Sequence, residues 1–249
     1  MRAFCGFPHA SAMPPASLSI VLPAYNEEAN IESTVRDVLN WMSEAGVSGE
    51  VVVVNDGSAD ATGEILQRLQ TELPALAVVT HERNRGYGSA VRSGLDAAKS
   101  EWIGYMDSDG QFNPADFAKL LPYTDQYAIV TGRRRKRADP LLRQVNAKGF
   151  AFLNLLILGI WVRDINCAMK LFRRDIWQSI RPEYATGALV NAEIFYRARK
   201  QGIPWKQVLV EHYPRKAGTQ TGAHLGVILR MFRDMWRLRT ARIHPQSQS

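Results

Sequence analysis

Apolar positions in the first half of the chain alternate between two periods. Leu18-Ser19-Ile20-Val21-Leu22-Pro23 is a short apolar run halted by proline and followed by the polar turn Tyr25-Asn26-Glu27-Glu28. Residues 29–45 then place Ile31, Val35, Val38, Leu39 and Met42 at helical spacing. Glu50 to Val54 is almost wholly β-branched, the pattern of a strand covered on both faces. It ends in the turn Asn55-Asp56-Gly57-Ser58, after which Asp60 or Thr62 can cap a helix over 61–72. Leu76 to Thr80 predicts a third strand. Gly86, Gly88 and Ser89 open a helix running to about Lys99, and Trp102 to Met106 predicts a fourth strand ending at Asp107.

Beyond residue 125 the pattern is less regular. It predicts strands at 127–131, 168–172 and 205–212, and helices at 140–160, 190–201 and 223–242. Strand–helix alternation of this kind specifies an α/β fold with a mostly parallel central sheet and helices on both faces. No linker divides the chain. The expected organisation is an unstructured leader over 1–16, one domain over 17–222, and a basic amphipathic helix with a tail over 223–249.

Composition changes this picture little, and charge changes it more. At 46% hydrophobic and 22% charged, the 249-residue chain can build a substantial core and is not disordered by composition. The two cysteines, Cys5 and Cys167, form no disulfide framework and favour a reduced, cytosolic setting. Residues 1–16 have no apolar core of a secretion signal, and no run reaches the 18–20 apolar residues of a membrane span. The net charge is +7, concentrated in Arg133 to Arg137 and after Trp205, where eight Lys and Arg face two acidic residues. A polyanionic partner follows: a phosphorylated substrate, an acidic membrane surface or nucleic acid. Nucleic acid ranks last, because no stacking aromatics or recognition motif accompany the charge. His9, His81, His212, His224 and His244 show no metal-ligand spacing.

Ligands of open α/β sheets bind at the carboxyl ends of the strands. Three polar clusters end strands here: Tyr25-Asn26-Glu27, Asn55-Asp56 and Asp107-Ser108-Asp109. In parallel strands they share one rim. Asp-x-Asp by itself is more often a turn than a site, but at a strand end, with Gln111 close behind, it offers hard oxygen donors suited to Mg²⁺ or Mn²⁺. Asn84-Arg85-Gly86-Tyr87-Gly88 reads either as a tight turn or as a phosphate cradle at a helix start. It matches neither the dinucleotide-binding nor the P-loop pattern.

Taken together, Val21 to Glu28, Asn55 to Thr62, Asn84 to Gly88 and Asp107 to Gln111 resemble, in order and spacing, the inverting family-two glycosyltransferases of GT-A fold. Within that family the chain resembles dolichol-phosphate mannose or glucose synthases and bacterial polyprenyl-phosphate glycosyltransferases, over roughly residues 18–222. The resemblance implies that Pro23, Tyr25, Glu27, Asp56, Gly86, Asp107, Lys170 and Thr219 bind the nucleotide sugar, with Asp56 accepting from base or ribose. It implies Asp107, Asp109 and Gln111 as metal ligands. Gly132-Arg133-Arg134 is similar to the family's Gly-Ser-Arg, which places Arg134 near the phosphates. Asp164 to Lys170 resembles Asp-x-x-Ser-Gly-Phe-Lys, departing at Cys167, Ala168 and Met169. Arg215, Gly218 and Thr219 are similar to a segment that closes over the diphosphate, with Gln220 in place of a frequent Lys and Asn55 in place of a frequent Asp.

The implied activity is metal-dependent transfer of a hexose from a GDP-mannose or UDP-glucose type donor to polyprenyl or dolichyl phosphate. A divalent metal, Arg134 and Arg215 would stabilise the leaving diphosphate. A lipid phosphate is already anionic and needs no strong base, whereas a hydroxyl acceptor would require Asp109 or Glu193 as base. A soluble or polymeric glycan acceptor and a non-catalytic nucleotide-sugar binder are the alternatives. Across 223–242, Leu225, Ile228, Leu229, Phe232, Met235 and Trp236 project to one face and Arg230, Arg233 and Arg237 to the other. Such a helix suits an anionic membrane surface, or docks on the core with solvated arginines. The expected location is cytoplasmic, peripheral on the inner face of the membrane, with a homo-oligomer left open.

Overall fold

A computed structural model describes residues 17–135, 149, 153–185, 187, 189–214 and 235–240. The leader 1–16, most of the 140–160 segment, Arg215 to Gln220, and 223–242 apart from 235–240 lie outside the described residues.

Strand β1 (Leu18–Ala24) is buried along its whole length and lies inside the sheet. It is followed by α1 (Ile31–Glu44), β2 (Gly49–Asn55), α2 (Thr62–Glu72), β3 (Leu76–Thr80), α3 (Tyr87–Ala97) and β4 (Trp102–Tyr105). Then come β5 (Ile129–Arg134), β6 (Lys170–Arg173), a helix over Val190–Lys200, and β7 (Trp205–Val210). Among the described residues, seven strands form one sheet in the order β3-β2-β1-β4-β6-β5-β7. β1 pairs parallel with β2 (Val21 opposite Val52) and with β4 (Val21 opposite Tyr105). β6 runs antiparallel to both β4 and β5. The early strands and helices fall within a few residues of their expected bounds; β5 and β6 each begin two residues later than expected.

The valines of β2 explain why this strand is interior. Val51, Val52, Val53 and Val54 are all fully buried, and each such burial contributes about 1.5–3 kcal/mol. The connections through α1 and α2 step one way along the sheet, and that through α3 steps back past β1. With right-handed crossovers, α1 and α2 cover one face and α3 the other. Gly94 lets α3 approach closely, since a Cβ there would stand 2.2 Å from Val21 Cγ1. The reversal of strand order between β1 and β4 opens the crevice in which sheets of this kind hold ligands.

Two findings depart from the helical pattern of the second half. Asn154–Leu158 is a single π-helical turn closed by Gly159 in the left-handed conformation (φ 67°). It buries Asn154 and Leu158 while exposing Leu156 by 64%. Residues 235–240 are helical, but the expected apolar face is divided there: Met235 and Leu238 are buried, whereas Trp236 is 68% exposed. Consecutive helical residues point 100° apart, and a stripe at i and i+3 leaves the neighbour outside. Among the described residues, no helix is long and apolar enough to cross a membrane.

Candidate functional site

The loops after β1, β2 and β3 interlock at the carboxyl rim of the sheet. Asn26 takes a positive φ of 55°, tolerable for Asn. Its backbone N–H donates to Ser58 Oγ (3.0 Å), and its Oδ1 accepts from Ala59 N (2.9 Å). Glu27 N donates to Thr62 Oγ1 at 2.9 Å, and Glu27 Oε2 accepts from Asn30 Nδ2 at 2.8 Å. Gly57, at φ +69°, lies so close to the third loop that a Cβ would stand 2.4 Å from the Arg83 carbonyl carbon. Asn55 has a local task, accepting from Ser58 N at 3.0 Å.

Asp107-Ser108-Asp109 follows β4 on this rim. Ser108 turns inward: its hydroxyl donates to the Pro23 carbonyl at 2.7 Å, and its own carbonyl accepts from Thr34 Oγ1 at 3.1 Å. The tripeptide is thereby bolted to β1 and α1. Asp107 Oδ1 accepts from Tyr87 Oη at 3.0 Å, and Asp109 Oδ1 accepts from Gln111 N at 3.1 Å. Gln111 is tied to the chain beyond β7, its Nε2 donating to the Tyr213 carbonyl (3.1 Å) and its carbonyl accepting from Tyr213 N (2.9 Å). That leaves the amide oxygen as the atom a cation would use.

Burial, and secondarily the charge of Asp109, push the Asp107 carboxyl up to about 7. A divalent cation would supply the opposite charge that lets both acids ionise, and carboxylate and amide oxygens are hard donors fitted to Mg²⁺ or Mn²⁺. The residues therefore fit such an ion. Among the described residues no group of three or more His, Cys, Asp or Glu gathers as a metal cluster, so water and a ligand's phosphates would complete the coordination. Burial first, and Asp107 next, hold the Tyr87 hydroxyl well above the usual phenol range, which keeps it a donor.

The other expected residues take varied places. Tyr25 is 43% exposed on the rim, and Pro23 is buried in β1. Asp56 is 2% exposed and is fully engaged by the chain: Oδ1 accepts from Arg85 N (2.9 Å) and Oδ2 from Gly86 N (2.8 Å). Arg134, half-buried, grips the buried Asp164 with two prongs. Lys170 is fully buried beneath the rim; its ammonium donates to the Ile165 carbonyl (3.1 Å) and to that of Cys167. Burial lowers the Lys170 ammonium to about 8 and raises the Cys167 thiol to about 12. Glu193, the alternative base, is fully buried: it accepts from the N–H groups of Glu183, Tyr184 and Ala185 and from Arg197 Nε. It fastens a loop and is not exposed for proton transfer. Arg215 and Thr219 lie outside the described residues.

Sequence reasoning passed over two participants. Tyr87 stood inside a quoted motif, but only the fold brings its hydroxyl to Asp107. His81 shows no metal-ligand spacing in the sequence, yet its Nδ1 lies 2.6 Å from Asp56 Oδ1.

The model of glycosyl transferase family 2 matches residues 19–181. A dolichyl-phosphate beta-glucosyltransferase of Trichomonas vaginalis is 30% identical, the match covering 82% of this chain and 68% of that protein. An undecaprenyl-phosphate 4-deoxy-4-formamido-L-arabinose transferase of Pectobacterium carotovorum is 28% identical over 87% of this chain and 65% of its own length. The chain thus spans about two thirds of these curated relatives. Among solved structures, a glucosyl-3-phosphoglycerate synthase from Mycobacterium tuberculosis with Mn²⁺ and uridine diphosphate has a TM-score of 0.67 at 20% identity, covering 100% of this chain and 88% of that one. A mannosyl-3-phosphoglycerate synthase from Rubrobacter xylanophilus has a TM-score of 0.69 at 20% identity, covering 92% and 74%. At such identities the likeness establishes the fold.

Proposed function

The chain belongs to glycosyl transferase family 2, and from that premise we propose that it moves a hexose from a nucleotide sugar, of GDP-mannose or UDP-glucose type, to a polyprenyl or dolichyl phosphate. The observation that carries this reading is the pair Asp107 and Asp109 at the crevice between β1 and β4, bolted there through Ser108. The names of the relatives supply the lipid-phosphate acceptor.

In this reading Tyr25 and Glu27 line the nucleoside side of the rim, and Asp107, Asp109 and the Gln111 amide oxygen would hold Mg²⁺ or Mn²⁺. The bound ion would neutralise charge on the departing diphosphate. Arg134 adds a fixed positive charge whose orientation Asp164 sets, and Arg215 and Thr219 are assigned to the same diphosphate by resemblance. A phosphate acceptor arrives as an anion, so inversion at the anomeric carbon needs no deprotonation by the protein. The engagement of Glu193 with a loop agrees with that economy. The same reading puts the protein on an anionic, inner-face membrane surface; exposed Leu156 (64%), Trp161 (51%) and Trp236 (68%) support contact with a membrane interface, where Trp side chains are favoured.

A panel of nucleotide sugars assayed with undecaprenyl or dolichyl phosphate in detergent tests the proposal. Labelled sugar should enter the lipid phase only when a divalent metal and the polyprenyl phosphate are both present. Transfer to soluble glycans alone would replace the acceptor; donor binding without transfer to any acceptor would replace the activity.

A further inference from the structure

Hydrogen bonds and one peptide link join a buried histidine to Asp107. Ser93 Oγ lies 2.9 Å from His81 Nε2, and His81 Nδ1 lies 2.6 Å from Asp56 Oδ1. A carboxylate has no hydrogen to give, so Nδ1 carries it and donates. The same Asp56 carboxylate receives Arg85 N on Oδ1 and Gly86 N on Oδ2. Gly86 precedes α3 with φ 91° and ψ 156°, a conformation that glycine alone adopts readily. Its backbone therefore sets where α3 begins, and the first residue of that helix is Tyr87. Tyr87 then donates to Asp107 Oδ1 at 3.0 Å, directing one carboxylate oxygen and leaving the other for a ligand.

We propose that Tyr87 is a positioning residue for the metal-binding carboxylate Asp107, and that His81 and Asp56 form the latch that holds Tyr87 in reach. This rests on the metal reading above and adds to it residues with no direct contact to the ion. Partners that orient metal ligands from outside change metal affinity by about 10–100-fold when removed. Asp56, with its two oxygens holding two successive backbone N–H groups, acts here through the loop.

Mn²⁺ binding by the full chain, read from the electron paramagnetic resonance of free Mn²⁺ with saturating UDP or GDP, tests this without recourse to turnover. Tyr87→Phe should weaken Mn²⁺ binding by about tenfold or more with the circular dichroism spectrum unchanged. His81→Ala should weaken it as well. The Tyr87→Phe/His81→Ala double variant should bind no more weakly than Tyr87→Phe, because both act through one contact. His81→Asn, which can offer its amide N–H to Asp56, should recover part of the loss. Wild-type affinity in Tyr87→Phe overturns the proposal, and fully additive losses overturn the latch. Asp109→Ala separates the two layers of argument. If it abolishes Mn²⁺ binding while Tyr87→Phe keeps wild-type affinity, only the positioning role fails; if it binds Mn²⁺ like wild type, the metal reading itself fails.

Discussion

Arg134 and Asp164 form a two-pronged, partly buried ion pair, Nε to Oδ2 and Nη2 to Oδ1, each at 2.7 Å. Asp164 Oδ2 also accepts from the Arg134 backbone N–H at 3.1 Å, so the carboxylate fixes both the side chain and the end of β5. The cation beside the site is therefore held by an acid 30 residues away in sequence.

Breaking that pair from one side should cost more than the pair itself contributes. Asp164→Ala takes both carboxylate acceptors from a half-buried guanidinium, and about 1.5–3 kcal/mol of stability should be lost. Urea unfolding of the variant against wild type measures this, and a loss under about 1 kcal/mol would place the pair with surface salt bridges instead.

Asp109→Ala should abolish metal-dependent transfer with the fold intact. Circular dichroism and thermal unfolding check the fold, and labelled-sugar transfer checks the activity. Retained metal-dependent transfer would remove Asp109 from the metal site.

Lys170 gives the stability a definite pH dependence. Its folded-state value of about 8 lies below the ordinary 10.5, so between these values the unfolded chain binds more protons. The contribution to stability is present above about pH 10.5 and is lost as pH falls through 8. Against a Lys170→Met reference, wild-type stability should rise by on the order of 3 kcal/mol across that window. Urea midpoints at pH 7.5 to 10 test the sign; a flat or falling difference contradicts it.

Trp236 and Leu156 offer a test of the membrane surface that spares the core. Both are exposed, so Trp236→Ala and Leu156→Ser should leave the melting temperature within a degree or two of wild type. Sedimentation with phosphatidylglycerol vesicles should fall by about tenfold for the pair. Unchanged vesicle binding would move the contact elsewhere.

The strands and helices up to β4 were legible because each carries its own period. Val51 to Val54 announce a doubly covered strand, and Ile31, Val35, Val38 and Met42 one face of a helix. Antiparallel β6 was not legible in direction, since a four-residue strand with three buried positions carries no sign of which way it runs. The division of Met235 from Trp236 was likewise hidden, because a helical projection cannot say how wide a stripe the core will cover.

The sequence by itself determined the alternating α/β plan, the family resemblance and the two acids at a strand end, since all of these are matters of local order and spacing. Tertiary structure alone decided what each polar residue does. Asp56 grips a loop, Lys170 lies beneath the rim, Glu193 is enclosed by backbone N–H groups, and Tyr87 reaches Asp107. A hydrogen bond needs its partner within about 3 Å in a favourable direction. For residues 20 to 30 positions apart, only the packing of strands and loops sets that distance.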